Sequence, residues 1–433
     1  MSSIAIIGSG ISGLSAAWHL TRLWPEARVT LLEAGTHFGG HANTVDVTLD
    51  GISHGVDTGF LVFNERTYPG LIGLLETLQV EAAPSEMSFS VRSPRGQGQA
   101  ALEWSGHDLD SVFVQRRNLL SPRFWSMLRD ILRFNRLTTE LAASGAEAQL
   151  QEPIGDFLTR HRFGEAFRED YFLPMVACIW SCPTRQMLRF PMATMIRFCH
   201  NHGLLQVANR PQWFTVKGGS RRYVARIIQS LADARLNTPV RSVKRGQQGV
   251  MVETAQGTER FDHVVLACHS DQALALRGND ASSQERAVLG AIRYQANRAV
   301  LHTDTAMLPA HPKAWAAWNY ERAERQSDED ARVCLHYLIN KLQPLPWEKP
   351  VIVSLNPVRE PQKVLAEIDY AHPVFDQGAI EAQRQLPSLQ GCEGIWFAGA
   401  WCGYGFHEDG FQAGLRAAEG ILNQRAAGLL YAA

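Results

Sequence analysis

The chain has little cysteine, almost no net charge and no long apolar run. Seven cysteines stand among 433 residues, at 178, 182, 199, 268, 334, 392 and 402, and none forms a CxxC pair. That excludes a disulfide scaffold and points to a reducing compartment. The formal net charge of −1 gives no global attraction to nucleic acid, so no nucleic-acid partner is expected. No apolar stretch is long enough to span a bilayer. Met1 stands a few residues ahead of the first motif, so the expectation is a cytoplasmic protein without a cleaved leader. Contact with the inner face of a membrane stays open. Internal repeats and low-complexity tracts are also lacking, which excludes solenoids and long linkers.

Metal-ligand spacing is lacking too. His200-Asn201-His202 has no third ligand in register and reads as a solvated turn. Cys178 and Cys182 sit four apart on an apolar stretch with no histidine or acid beside them. They read as buried thiols, so no metal is expected.

The first motif is Ile4-Ala5-Ile6-Ile7, a short apolar strand, followed at once by Gly8-Ser9-Gly10-Ile11-Ser12-Gly13 and a helix-forming run from Leu14. This is GxGxxG with a strand before it and a helix after it, the context of a dinucleotide-binding turn. Gly8 permits the turn, Gly10 lets backbone approach a pyrophosphate, and Gly13 lets helix and strand pack. The helix N-terminus then offers unpaired N–H groups to phosphate. A second strand, Val29 to Leu32, ends at Glu33, about twenty residues on, where an acid accepts from ribose hydroxyls. An acid there disfavours NADP. There is no second GxGxxG, which disfavours a reductase fed by a nicotinamide.

The length predicts two domains. Thr44–Leu49 and Ile52–Val56 alternate as a hairpin around Asp50-Gly51. Helices are expected over 70–78, 122–142, 154–161 and 222–232. Strands are expected over 213–216, 238–243, 249–254, 261–267, 298–302, 333–337, 351–355 and 394–400. Residues 277–286 read as a polar surface loop. Residues 403–410 read as a loop before a helix over 411–424. Along 123–136, Phe124, Leu128, Ile131 and Leu132 fall at helical spacing, and Arg129, Arg133 and Arg136 line an adjacent face. That is the pattern of a helix covering its own core or lying in a membrane interface.

The opening GxGxxG with Glu33, the Gly39-Gly40 pair, and the closing Phe397-Ala398-Gly399, Gly410, Gly414 and Ala417-Ala418 resemble the flavin-containing amine oxidase superfamily. That group includes monoamine oxidases, protoporphyrinogen oxidase and phytoene desaturases. The resemblance spans essentially the whole chain. It implies an α/β fold: a Rossmann-type FAD-binding domain of the glutathione-reductase-like kind, with a mixed α+β substrate domain inserted in two segments. The expected division is 1–65, 205–275 and 390–433 for FAD, and 66–204 and 276–389 for substrate. His407-Glu408-Asp409-Gly410 and Trp315-Ala316-Ala317-Trp318-Asn319-Tyr320 resemble in particular a bacterial branch of FAD-dependent oxidoreductases associated with fatty-acyl modification.

The resemblance implies non-covalent FAD held by Gly8, Gly10, Ser12, Gly13, Glu33, Ala34, Gly39, Gly40, His41, Val240, Gly399, Glu408, Asp409 and Gly410. His41 stands where the family usually has arginine. Cys402 reads as a packed thiol rather than a flavin link. Amine oxidases of the superfamily carry a lysine on a strand beside the pocket, and the matching position is expected at Arg298, which cannot give up its proton. His407 falls where an aromatic ring of the amine cage would be, and is the candidate base, with Arg298 the other catalytic candidate. Phe172, Met175, Ile179, Trp180, Trp213 and Tyr404 are the expected pocket walls. The activity this implies is dehydrogenation of an apolar, fatty-acyl or other lipid substrate by hydride transfer to flavin. The rivals are an amine oxidase releasing imine and hydrogen peroxide, and an FAD-binding protein without turnover.

Overall fold

The computed structural model describes residues 2–95, 100–146, 150, 152–180, 184–206, 210–322 and 333–432. Three distant stretches of chain meet in one parallel sheet. Its strands lie in the order Asp233–Arg235, Arg28–Leu32, Ser3–Ile7, His263–Leu266, Ile395–Phe397. Ile4, Ala5, Ile6, Val264, Val265 and Leu266 are fully buried, because both faces of a parallel sheet are covered. On one face pack the helices Ile11–Leu23, Pro69–Thr77, Arg221–Gln229 and the start of His407–Ala432. On the other lie the antiparallel strands Ser242–Gly246, Gly249–Thr254 and Gly257–Phe261, with helices Ser270–Arg277, Ser283–Gly290 and Gln377–Gln385. The helices at 69–77, 283–290 and 377–385 were expected with the substrate segments. Their apolar faces close this core instead.

Several local expectations change here. The three-residue edge strand Asp233–Arg235 follows directly on the expected helix over 222–232 and was not anticipated. Its charged ends pair with each other and with Glu259, so an edge strand needs no apolar run. The strand expected at 238–243 begins at Ser242. Pro239 cannot donate to a ladder, and the preceding residues are extended chain, with Thr238 N–H donating to Glu33 O at 2.8 Å. The polar loop expected at 277–286 is ordered. Arg277 is fully buried, donates to Val243 O, and pairs with Asp280 and Glu285, which Arg245 also holds. A buried guanidinium is tolerated only when paired in this way.

The second sheet is mixed and has seven strands, in the order Val364–Val374, Arg293–His302, Ile352–Leu355, Cys334–Leu338, Trp318–Glu321, Phe89–Ser93, Leu102–Ser105. The first of these was not anticipated. One face is apolar, with Val91, Trp104, Ala299, Leu301, Leu335 and Val353 buried. The other carries Arg92, Glu321, Cys334, His336, Ser354 and His302 as a closed hydrogen-bonded group. Among the described residues, Glu321, Cys334 and His336 bring donor atoms within 4.8 Å of one another. Arg92 already balances the Glu321 carboxylate at 2.9 Å.

Helices cover the remaining side. Helix Pro122–Ser144 starts at Ser121, whose Oγ accepts from Phe124 N–H, with proline in the first turn, and stops at Gly145 with φ 68°. It buries Phe124, Met127, Asp130, Phe134, Asn135 and Thr138. Leu132, expected on the apolar face, is exposed, and so is Trp125. Arg133 turns back to His161 O and Arg162 O and lies over Phe163. His202 is no solvated turn: it is buried, stacked on Phe198 at 3.9 Å, and burial pulls its pKa down to about 4. Cys178 is buried, and Cys182 lies outside the described residues. No helix among the described residues is long and apolar enough to cross a membrane.

Candidate cofactor and substrate site

Two helix starts converge on one place. Helix Ile11–Leu23 begins straight after the glycine turn, and the long C-terminal helix begins at His407, four residues before its expected start. Gly410 and Gly414 make the approach possible. A Cβ on Gly410 would lie 2.7 Å from Ile11 Cγ2, and one on Gly414 would lie 2.0 Å from Ser12 O. Both helix dipoles therefore direct partial positive charge at the same region. Within the turn, Gly8 has φ 101° and faces Ala267 O, while a Cβ on Gly13 would stand 1.9 Å from Gly8 O. Gly10 differs: nothing lies within 4 Å of its Cβ position. Gly40, at φ 58°, faces it across the gap, its own Cβ position 3.1 Å from Gly10 Cα. Gly399 is extended, and its Cβ position collides with the Trp401 indole.

Glu33 sits at the end of its strand as expected, yet its carboxylate already serves the protein. One oxygen accepts from Ser9 N–H and Ser9 Oγ at 2.9 and 2.5 Å, and the other from Gly35 N–H at 2.7 Å. A carboxylate has about four acceptor sites, so it fixes the glycine turn and keeps capacity for a hydroxyl. Ala34 beside it is exposed. Val240 lies in the extended chain nearby, and its backbone takes no partner among the described residues.

At the opposite end, the turn after Gly40 meets the second sheet. His41 stacks on Tyr370, centroids 4.8 Å apart, and lies 5.3 Å from His372. Tyr370 bonds Thr58 and Asn43. His372 bonds Asn297 at 2.8 Å. Burial, then the neighbouring His372, His269 and His407, hold the His41 pKa well down. Burial pulls His372 to about 4. All this is on the inward face, and Arg298 is on the outward one. Its guanidinium pairs with Glu360 and Glu367 at the surface, so the expected place for Arg298 beside the pocket is corrected. Asn297, one residue earlier and buried, is the inward residue on that strand. Tyr370, His372 and Asn297 went unread. The alternation Ile368, Tyr370, His372 against Glu367, Asp369 was the signal available for them.

His407 is buried in the first turn of the last helix. Its Nε2 bonds Tyr223 OH at 2.7 Å, and its ring stacks on Phe60 at 3.8 Å. Glu408 accepts from Gly70 and Leu71 N–H, each at 2.9 Å, and so caps helix Pro69–Thr77. Asp409 accepts from Phe406 N–H at 2.9 Å. Beside the Gly403–Tyr404 turn opens a cavity of about 500 Å³ walled by Trp180, Phe375, Ile380 and Tyr404, with Arg197 and Arg384 on its rim. Of the expected pocket walls only Trp180 and Tyr404 line it. Phe172 is core, 5.1 Å from Phe134. Met175 and Ile179 pack against that core. Trp213 belongs to a separate three-stranded sheet with strands 63–64 and 82–85.

Residues 11–303 match the family model for flavin containing amine oxidoreductases. The chain belongs to that family. A search of curated protein sequences found no match. Solved structures share the fold. A CLA-producing fatty acid isomerase from P. acnes superposes with a TM-score of 0.68 at 15% identity, over 96% of this chain and 98% of that one. Cyclohexylamine oxidase from Brevibacterium oxydans IH-35A gives a TM-score of 0.68 at 17% identity, over 98% and 99%. Putrescine oxidase bound to putrescine gives 0.65 at 16%, also over 98% and 99%.

This flavin-containing oxidoreductase uses FAD, and its residues fit that cofactor. There is open room beside Gly10, with nothing within 4 Å of its Cβ position. His41 Nε2 is buried without a partner among the described residues, as an atom awaiting a ligand would be. Glu33 and Val240 would hold the adenosine end, with Ala34 beside them. Gly8, Gly10, Ser12, Gly13, Gly39 and Gly40 would surround the pyrophosphate. Gly399, His41 and the backbone of Glu408 to Gly410 would meet the flavin ring. Burial pushes the Cys402 thiol up to about 12, so it is protonated and a poor nucleophile at neutral pH.

The last helix of the oxidoreductase also sets a pH dependence. Burial raises Asp409 to about 6 and lowers His407 to about 3. Between about pH 4 and 6 the native state holds the Asp409 proton that the unfolded chain gives up, so this group stabilises more as pH falls. His407 works the other way, losing stability as pH falls from about 6.5 toward 3. Asp409→Asn keeps an acceptor oxygen and removes the first term, of order 2–3 kcal/mol. Thermal unfolding should show this variant more stable than wild type at neutral pH and falling more steeply below pH ~6. A profile parallel to wild type would contradict the assignment.

Proposed function

We propose that this FAD-dependent oxidoreductase dehydrogenates an apolar chain, fatty-acyl or otherwise lipid. One carbon loses hydride to the cofactor, its neighbour loses a proton to water, and a double bond forms. The charge of the cavity carries the reading: its walls are mostly apolar or aromatic, and Arg197 and Arg384 are the charged lining. Such walls desolvate a chain. Guanidinium groups favour a carboxylate or phosphate at its end and repel an ammonium. The isomerase of fatty acids among the structural neighbours agrees with this, and the two amine oxidases define the rival.

FAD, when bound, supplies the hydride acceptor. The chain supplies alignment and exclusion of water, and alignment contributes roughly 7–11 kcal/mol at best. With Arg298 at the surface, discrimination against amines rests on the cavity arginines and on the uncharged Asn297. A histidine held near pKa 3, with its Nε2 bonded to Tyr223, is a weak base. His407 is therefore read as positioning Phe60 and the helix start rather than taking the substrate proton.

The test is anaerobic mixing of holoenzyme with a long-chain fatty acid, an acyl phospholipid, putrescine and cyclohexylamine. The visible flavin band should bleach with an acyl chain, and mass analysis should find product lacking two hydrogens. Bleaching by the amines alone would make it an amine oxidase. Colour retained with every compound would favour a flavoprotein without turnover on these classes.

A further inference from the structure

Exposed large apolar side chains are few, and they are not scattered. Of ten among the described residues, five lie between positions 109 and 132: Leu109, Leu119, Leu120, Trp125 and Leu132. Leu120 is 89% exposed and Leu132 61%. They form one neighbourhood. Trp125 Nε1 donates to Leu119 O at 2.9 Å, and the Trp125 ring lies 5.2 Å from Phe113. Leu132 is seven residues further along the same helix, two turns on the same stripe. Arg129 and Arg136 stand between and beyond them on that stripe, exposed. The opposite face of this helix buries Phe124, Met127 and Phe134, so the exposed stripe is no part of the core.

The charge around the patch is predominantly positive. Residues 109–136 contain six arginines and two aspartates. Asp130 is buried beneath the helix, where it accepts from Gly164 N–H. Asp110 is taken by Arg116 and Lys313. Arg123 is balanced by Glu165 and Asp170, and Arg133 is folded back onto backbone carbonyls. Arg117 is exposed but donates to Ala100 O and Ala101 O, so Arg129 and Arg136 chiefly set the outward field, on a chain whose total charge is only −1.

We propose that this face, with Leu119, Leu120, Trp125 and Leu132 at its centre and Arg117, Arg129 and Arg136 at its rim, seats on the anionic surface of a lipid bilayer. Tryptophan and leucine partition into the acyl–headgroup boundary, and arginines beside them reach phosphate. A second copy of the chain is the poorer occupant, because a two-fold contact would set this positive rim against itself. The surface stands apart from the chemistry of the cavity: binding is read without turnover, and turnover on a soluble short-chain substrate is read without a membrane.

Cosedimentation of FAD-loaded protein with phosphatidylglycerol/phosphatidylcholine vesicles tests it, alongside vesicles of phosphatidylcholine alone. Wild type should bind the anionic vesicles, more weakly as salt rises, and bind the neutral ones far less. Leu120→Glu/Trp125→Glu and, separately, Arg129→Glu/Arg136→Glu should each lower the bound fraction about tenfold or more. Retained FAD stoichiometry and unfolding temperature certify the fold of each variant. Wild type that stays in the supernatant at low salt overturns the proposal, as do well-folded variants that bind as wild type. A dimer seen by light scattering that the Leu120/Trp125 variant dissociates overturns it in favour of a second copy.

Discussion

Replacing Gly10 with valine is expected to leave the chain folded and to cost about a hundredfold in FAD affinity, about 2.7 kcal/mol. Gly10 sits at φ −62°, ψ 175°, a conformation any L-residue adopts. Its Cβ position meets nothing within 4 Å, so the protein alone offers a branch point at Cβ no clash. The side chain would occupy the open space beside the turn, hold the pyrophosphate off the helix start, and forfeit charge-assisted N–H contacts worth roughly 1.5–3 kcal/mol each. Gly13→Ala is the contrast. Its Cβ would stand 1.9 Å from Gly8 O and 3.3 Å from Ala267 Cβ, so helix and strand must separate and apo stability falls with affinity. Circular dichroism and thermal unfolding of deflavinated protein, beside flavin fluorescence titrations, separate the two cases. Unaltered FAD binding by the Gly10→Val chain would remove Gly10 from the cradle.

Why one end of the site was readable and the other was not follows from how each is built. The adenosine end is contiguous: Ile4 to Gly13 and then Glu33 fall in order on two neighbouring strands and one turn, and local spacing carries them. The flavin end is assembled from residues hundreds of positions apart, where a shift of one residue changes the face of a strand. That shift is the whole difference between Arg298, paired with Glu360 and Glu367 at the surface, and Asn297, bonded to His372 inside. The partner strand Val364–Val374 does alternate acids with apolar residues, but it contains Pro373, which argues against a strand. The proline is tolerated because this strand is an edge. Gly410 suggested a loop, whereas its role is steric: it lets the last helix touch Ile11 and Ser12. The cavity walls Phe375 and Ile380 come from a segment with no motif at all, next to Trp180 and Tyr404, which had been read.

Charge reversal at Arg197 should convert the cavity's preference. Arg197 is on the cavity rim and hydrogen-bonds Tyr404. Arg384, also lining the cavity, pairs with Glu381 at 3.3 Å, and Arg197 is the substitution of choice because it touches Tyr404 of the cavity wall. At roughly 8 Å and an effective dielectric near 20, one unit charge is worth about 2 kcal/mol before salt screening. Arg197→Glu changes the field by two units, and after screening KM for a free fatty acid should rise about 30–100-fold. Arg197→Gln should fall between the two, since it loses the charge without inverting it. In both, kcat should change little, because a headgroup contact made equally in ground and transition states is uniform binding. The methyl ester of the same acid is the internal control. It has the same chain and no charge, so its KM should be nearly the same in all three proteins. High salt should compress the differences for the acid and leave the ester alone. If acid and ester respond equally, the loss comes from the broken Tyr404 contact and the cavity's charge selects nothing. If Arg197→Glu lowers kcat for both, the Gly403–Tyr404 turn is reaching the reacting carbon through the start of the last helix, and Arg197 positions that turn.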